Sequence, residues 1–236
     1  MDAAVPWRVR DAALLLALGL GTLPLSLLAM QGFFRLQGMP ATMPSHPPAA
    51  LGRTATDLFY LTVLAGVWLF VVRRYDAGWA SLGLRLPARR TLPLALLLFL
   101  VLAVGCVAII AGLTWALGTL GLPVLLTPRS TVPASADPFF IVAVVGSALL
   151  TPVAEEVLFR GVLYQSLRKH TGAVRATLIS AALFTVLHWW PAMVPEFLFL
   201  GIMLAVAFER TRSLYPSMVM HAAYNAAIIL VTLRVV

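Results

Sequence analysis

The chain has 236 residues, 61% of them hydrophobic and 11% charged, with 17 basic against 9 acidic side chains for a net charge of +8. A soluble domain carries about 45–50% apolar and about 25% charged residues, so this composition excludes an ordinary water-soluble globule and makes lipid the solvent of most of the chain. A single cysteine, Cys106, excludes a disulfide framework and a thiolate metal cluster.

The first apolar run, 12–30, follows Arg8 and Arg10. It is longer than a signal-peptide core and lacks a small-residue cleavage site, so it reads as a retained span. Met39 to Pro48 holds four of the sixteen prolines and reads as an extended loop. A second apolar run, 55–72, leads into a stretch from Arg73 to Arg90 in which basic residues alternate with Trp79, Leu82, Leu84 and Leu86. That pattern suits a segment lying in the headgroup layer. Further apolar runs follow at 92–118, 138–160, 174–190, 192–208 and 215–233. The fold class predicted is all-α: a polytopic membrane protein of about seven transmembrane helices.

Positive charge favours the cytoplasmic side of a membrane. With the N-terminus inside and seven crossings, thirteen Lys and Arg residues fall on the inner side. Only Arg35, Arg53, Arg129 and Arg234 fall outside. Membrane orientation therefore accounts for the basic balance, and no nucleic-acid partner is needed. No internal repeat supports an inverted-repeat transporter.

An ionisable side chain at bilayer depth costs about 2.5–3.5 kcal/mol on insertion scales, which makes each one a functional candidate. Through the third run the only such residue is Asp57, near a helix end. From 138 onward they accumulate: Glu155, Glu156, Arg160, His188, Glu196 and His221, with Asn225, the only asparagine in the chain. Adjacent helical residues point about 100° apart, so Glu155 and Glu156 cannot share one role. Glu156 and Arg160 stand at i,i+4 with the acid first, the favourable order for an intrahelical ion pair, and read as structural support. Glu155 is left on another face. Pro152 removes a backbone hydrogen bond and loosens the turn before it. His221 and Asn225, again i,i+4, address one small space from the last span, and His188 follows Phe184 by one turn in the fifth. A carboxylate, an imidazole, and an imidazole with an amide form the inventory of a water-activating site. Glu196, beside Pro195 and after Trp189-Trp190, reads as an outer-interface residue, and His46 and His170 read as solvated groups. There is no H-E-x-x-H, no close aspartate pair, and no G-x-S-x-G around Ser147.

E-E-x-x-x-R at Glu155 to Arg160, F-x-x-x-H at Phe184 to His188 and H-x-x-x-N at His221 to Asn225 occur in this order, each on its own predicted span. Together they resemble the CPBP intramembrane metalloprotease family, which contains the type II CAAX prenyl endopeptidases and many bacterial Abi-type proteins. The stretch Ser81-Leu82-Gly83-Leu84 is similar to the family's lead-in. The resemblance implies a C-terminal four-helix catalytic core over 138–236, preceded by N-terminal helices and loops over 1–137, within one integral membrane domain.

It further implies an intramembrane endopeptidase, with Glu155 as general base, His188 orienting the water, and His221 and Asn225 donating to the oxyanion. A competing family view makes Glu155, His188 and His221 ligands of a zinc ion, a reasonable shell with an open fourth position. The metal-independent site is preferred here, because Asn225 on the His221 face makes a better donor pair than a ligand pair. The implied partners are a membrane-associated protein or peptide substrate and the lipid bilayer. One Lys against sixteen Arg suggests a GC-rich bacterial genome, hence a bacterial cytoplasmic membrane, and makes a prenyl substrate the less favoured one. The alternative function is a noncatalytic membrane-binding or bacteriocin-immunity-type protein on the same fold.

Overall fold

A computed structural model describes residues 5–36, 49–121, 140–188 and 190–235. The Pro-rich stretch 39–48, with His46, and Arg129 and Trp189 lie outside these residues. The described residues are helical, with no strand among them. In chain order, α1 is Val9–Leu36, α2 is Ala49–Val67 continued by a wider-wound turn at Trp68–Arg73, and α3 is Leu92–Thr119. Helix α4 covers 140–171 and α5 covers 173–187; α6 is Val194–Thr211 and α7 is Leu214–Val235.

Among the described residues, five helices are long and apolar enough to cross a membrane: Thr56–Arg73, Arg89–Thr119, Ala143–Leu187, Pro191–Thr211 and Leu214–Val231. The third of these joins two runs expected to be separated by a loop. Helical winding persists through Gln165–Thr171, and only Gly172 leaves it, at φ 80° and ψ 171°. The polar residues there end the apolar run without ending the helix, because they hold helical geometry well enough once the neighbouring turns are packed. Gly172 then turns the chain back on itself. Ser180 reaches the Phe159 carbonyl at 3.5 Å, and the Phe159 and Phe184 rings meet edge to face at 5.3 Å, so α5 returns along α4.

Helix α4 is wound more widely than an α-helix at Gly146–Leu150 and again at Val157–Tyr164. The first of these turns lies directly before Pro152, whose ring and missing N–H a regular helix does not accommodate. Every residue from Ala154 to Leu163 is buried. Helix α4 is thus the spine of the molecule, with α1, α2, α5, α6 and α7 packed against it and α3 packed on α6 and α7.

Helices α1 and α2 are antiparallel: Tyr75 donates to Asp11 at 2.8 Å at one end, and Gly19 lies under Phe59 and Val63 further along. Trp7, fully buried, donates its indole N–H to the Val162 carbonyl at 3.1 Å, which fastens the start of α1 to α4. Helices α5 and α6 approach closely where Gly201 faces Ala181; a Cβ on Gly201 would stand 3.0 Å from the Ala181 backbone. Gly105 of α3 similarly receives the Phe199 ring of α6.

The segment between α2 and α3, expected in the headgroup layer, also packs on the protein. Trp79 and Leu86 are exposed as that reading requires, but Leu82 is fully buried. Gly83 adopts φ 100°, and its carbonyl accepts from the Leu214 N–H at 2.8 Å. A Cβ there would lie 2.5 Å from the Phe208 ring, so both the left-handed backbone and the close contact require glycine. The Arg85 carbonyl accepts from Ser213, and the Ser81 carbonyl from Gln165. This segment is a protein-bound strap across the end of α4 and the start of α7, because its own backbone groups find partners there instead of water.

Candidate active site

Helix α4 carries the two adjacent glutamates on different faces, as their spacing requires, and both are buried. Glu156 and Arg160 form the expected intrahelical pair, Nη1 to Oε1 at 2.8 Å, with both side chains wholly inaccessible. Arg160 also donates from Nη2 to the Gly201 carbonyl of α6 at 3.0 Å, and its guanidinium lies 4.8 Å from the centre of the Phe184 ring. Glu156 Oε1 accepts a second bond, from His221 Nδ1 on α7, at 3.0 Å. The ion pair therefore fastens α4, α6 and α7 to one another.

A carboxylate oxygen can only accept, so the His221 hydrogen sits on Nδ1 and, in the neutral ring, Nε2 bears a lone pair. That nitrogen is 3.6 Å from Glu155 Oε2, beyond hydrogen-bond range. Glu155 Oε2 is buried and has no hydrogen-bond partner among the described residues. Its other oxygen, Oε1, accepts from the Tyr60 hydroxyl of α2. The series Arg160–Glu156–His221 thus lies behind Glu155, and Tyr60 lies beside it.

His188 caps the end of α5. Its Nδ1 bonds the Phe184 carbonyl at 2.7 Å. The carbonyl accepts, so Nδ1 again carries the hydrogen and Nε2 remains for a ligand in the neutral ring. The imidazole is held between two phenyl rings, Phe184 at 4.4 Å and Phe197 at 4.5 Å. Phe184, fully buried, also meets the His221 ring edge-on at 5.7 Å. The phenylalanine four residues before His188 thus acts as the packing centre for Arg160 and both histidines.

Glu155 and His188 open onto one cavity of about 350 Å³. Its walls are mainly apolar, with Leu16 and Leu20 from α1, Phe59 and Val63 from α2, Leu158 and Phe159 from α4, and Leu187. Tyr60 and Thr56 supply further polar atoms. His221 and Asn225 do not line this cavity. Asn225 donates its amide to the Ser147 carbonyl at 2.9 Å, inside the widened turn that precedes Pro152. The structure thus gathers Glu155, Glu156, Arg160 and His221 into one connected group and brings Glu155 and His188 to a common space. Asn225 is tied to α4 through Ser147.

Among the described residues, no group of three or more His, Cys, Asp or Glu side chains is arranged to hold a metal ion. The trio Glu155, His188 and His221 is accordingly not such a group, and no step below passes through a metal ion.

Glu196, near the start of the span Pro191–Thr211, is fully buried, and Tyr224 of α7 donates to its Oε1 at 2.9 Å. It lines an apolar cavity of about 260 Å³ with Cys106, Leu102 and Ile110. Its position beside Pro195 and a tryptophan pair resembled a helix end at an interface, but α6 starts at Val194 and packs Glu196 inward against α7. Tyr60 was not a sequence candidate, since a tyrosine in an apolar run usually reads as an interface anchor. The only available signal was its i,i+4 spacing from Thr56, which places both on one helix face.

Residues 137–227 match the family model of type II CAAX prenyl endopeptidase Rce1-like proteins. No curated protein and no solved structure matches the chain. The matched segment carries all three motifs and the whole Glu155–Glu156–Arg160–His221 group with His188 and Asn225. Tyr60 and the α1–α2 wall of the cavity lie before it. The chain thus combines several helices long and apolar enough to cross a membrane with a segment, 137–227, that is similar to the type II CAAX prenyl endopeptidases.

Proposed function

We propose that the protein is an intramembrane endopeptidase that hydrolyses a peptide bond with a water activated by Glu155. The observation that carries this reading is the shared cavity: a buried carboxylate with one unpartnered oxygen and an imidazole oriented through its other nitrogen open onto the same apolar space. In the reaction, one hydrogen of the water is directed to the Glu155 carboxylate and the other to His188 Nε2. Glu155 removes the first as the water oxygen bonds to the peptide carbonyl carbon. Collapse of the tetrahedral intermediate breaks the C–N bond, and Glu155 returns the proton to the leaving amine. One water is consumed, and a carboxylic acid and an amine are released.

His221 and Asn225 are the proposed donors to the oxyanion. Asn225 would use the amide hydrogen not given to Ser147. His221 would use Nε2, which calls for the imidazolium because the Nδ1 hydrogen is committed to Glu156. Glu156 and Arg160 support both. The substrate class is a membrane-associated protein or peptide whose side chains suit an apolar cavity.

The test is cleavage of quenched fluorescent single-span peptides by the purified protein in lipid. His188→Ala should lower turnover at least about tenfold with little change in apparent affinity, since water orientation is made only in the reacting complex. Chelation should leave turnover unchanged. No cleavage by the wild type, with biological activity that survives loss of both Glu155 and His188, would favour the noncatalytic alternative.

We further propose seven crossings with the N-terminus cytoplasmic, counting α1 as a span and α4 and α5 as two. Reporter fusions after Arg90 and after Val236 should then fall on opposite sides of the membrane, inner and outer respectively. Fusions that report the same side would refute the count.

A further inference from the structure

We infer that Tyr60 is a positioning residue for Glu155, supplied by α2 from outside the segment that carries the family motifs. The inference rests on the endopeptidase reading for its catalytic consequence, but its structural basis is independent of it. The two oxygens of Glu155 are unequal. Oε1 accepts the Tyr60 hydroxyl hydrogen, whereas Oε2 is without a hydrogen bond among the described residues and faces His221 Nε2 from 3.6 Å. A phenol beside a carboxylate can only donate, so the bond commits Oε1 and leaves Oε2 as the oxygen that takes a proton.

Leu158, Phe159, Leu187, Val63 and Ala154 are among the residues that line the cavity with Glu155. The Tyr60 bond fixes Oε1 there, and without it the carboxylate has more freedom about its last torsion. A carboxylate that samples several rotamers spends a smaller fraction of time aligned with the water, which lowers the rate of proton removal more than it changes substrate binding.

The residue is placed for this role by helical periodicity. Thr56, Phe59, Tyr60 and Val63 stand at i, i+3, i+4 and i+7 and line the cavity along one face of α2. Phe59 packs edge-on against the Tyr60 ring at 4.9 Å. The Tyr60 ring is thus braced by its neighbour, and its hydroxyl is the group that reaches α4.

Tyr60→Phe keeps the ring and deletes only the hydroxyl, so the full-length variant should fold in lipid. Two readouts apply. The first is the infrared band of the Glu155 carboxyl group, isolated as the difference between each protein and the same protein carrying Glu155→Gln. Tyr60→Phe should move this band, and Val63→Ala, on the same cavity wall, should not. The second is cleavage of the quenched single-span peptides, where kcat should fall about tenfold with KM within about twofold of wild type. An unmoved band overturns the inference, as does a moved band with unchanged kcat. If the wild type cleaves none of the peptides, the endopeptidase reading fails separately, and the band alone decides whether Tyr60 holds Glu155.

Discussion

Glu155→Gln is expected to lower peptide turnover by at least ~10² while leaving the folded protein at least as stable as the wild type. The amide has the shape of the carboxylate but cannot take a proton from water, so the chemical step loses its base. Stability should move the other way, or not at all. In the wild type, Glu155 Oε2 is a buried acceptor without a hydrogen-bond partner among the described residues. A neutral amide costs less to bury than a carboxylate, and its oxygen still accepts from Tyr60. Replacing an unfavourable buried arrangement at a functional site commonly trades activity for stability. Turnover by the purified variant in lipid, measured beside its thermal midpoint, tests both halves. Undiminished cleavage would remove Glu155 from the mechanism, and loss of folding would make it a structural residue.

Arg160→Ala is expected to have the largest effect on stability, on the order of 3–5 kcal/mol, because it leaves the Glu156 carboxylate buried without its counter-charge. The arginine also bonds the Gly201 carbonyl and covers the face of Phe184, so its removal detaches α6 from α4 and loosens the packing around both histidines. Arg160→Lys should recover little. An ammonium is a point charge and does not reproduce a planar fork that reaches Glu156 and Gly201 together. Glu156→Gln combined with Arg160→Met should recover a substantial part, since no unpaired charge then remains. Denaturant unfolding in detergent of the two single variants and the double variant measures the coupling. Additive effects would show that the two side chains do not act as a pair.

The two neighbouring glutamates thus fail differently, and this much was legible in the sequence. The i,i+4 spacing of Glu156 and Arg160 identifies a pair within one helix, and the same spacing puts Phe184 beneath His188, because helical periodicity decides neighbours locally. The bond from His221 to Glu156 is of another kind. It spans 65 positions and depends on how deeply α7 sits against α4, which no local pattern encodes. Tyr60 reaches Glu155 across 95 positions for the same reason. Apolar runs located the helices but misplaced one boundary, since Gln165–Thr171 is polar and still helical. Hydropathy reports where lipid ends, whereas the turn itself is made by the backbone of Gly172. The neighbouring aromatics and proline of Glu196 suggest a helix end, whereas its burial follows from the packing of α6 against α7.

The cavity has walls of two origins. Glu155, His188 and the charges behind them come from 137–227, whereas Leu16, Leu20, Phe59, Tyr60 and Val63 come from the first helical pair, before the matched segment. On the proposed reading the two stretches divide the work unequally: 137–227 holds the reacting groups, while α1 and α2 supply much of the cavity wall and, through Tyr60, a bond to Glu155 itself. Changing side-chain bulk at Leu16, Leu20 or Val63 should then alter which peptides enter, whereas exchanging the whole helical pair should also disturb Glu155 unless the Tyr60 hydroxyl is kept.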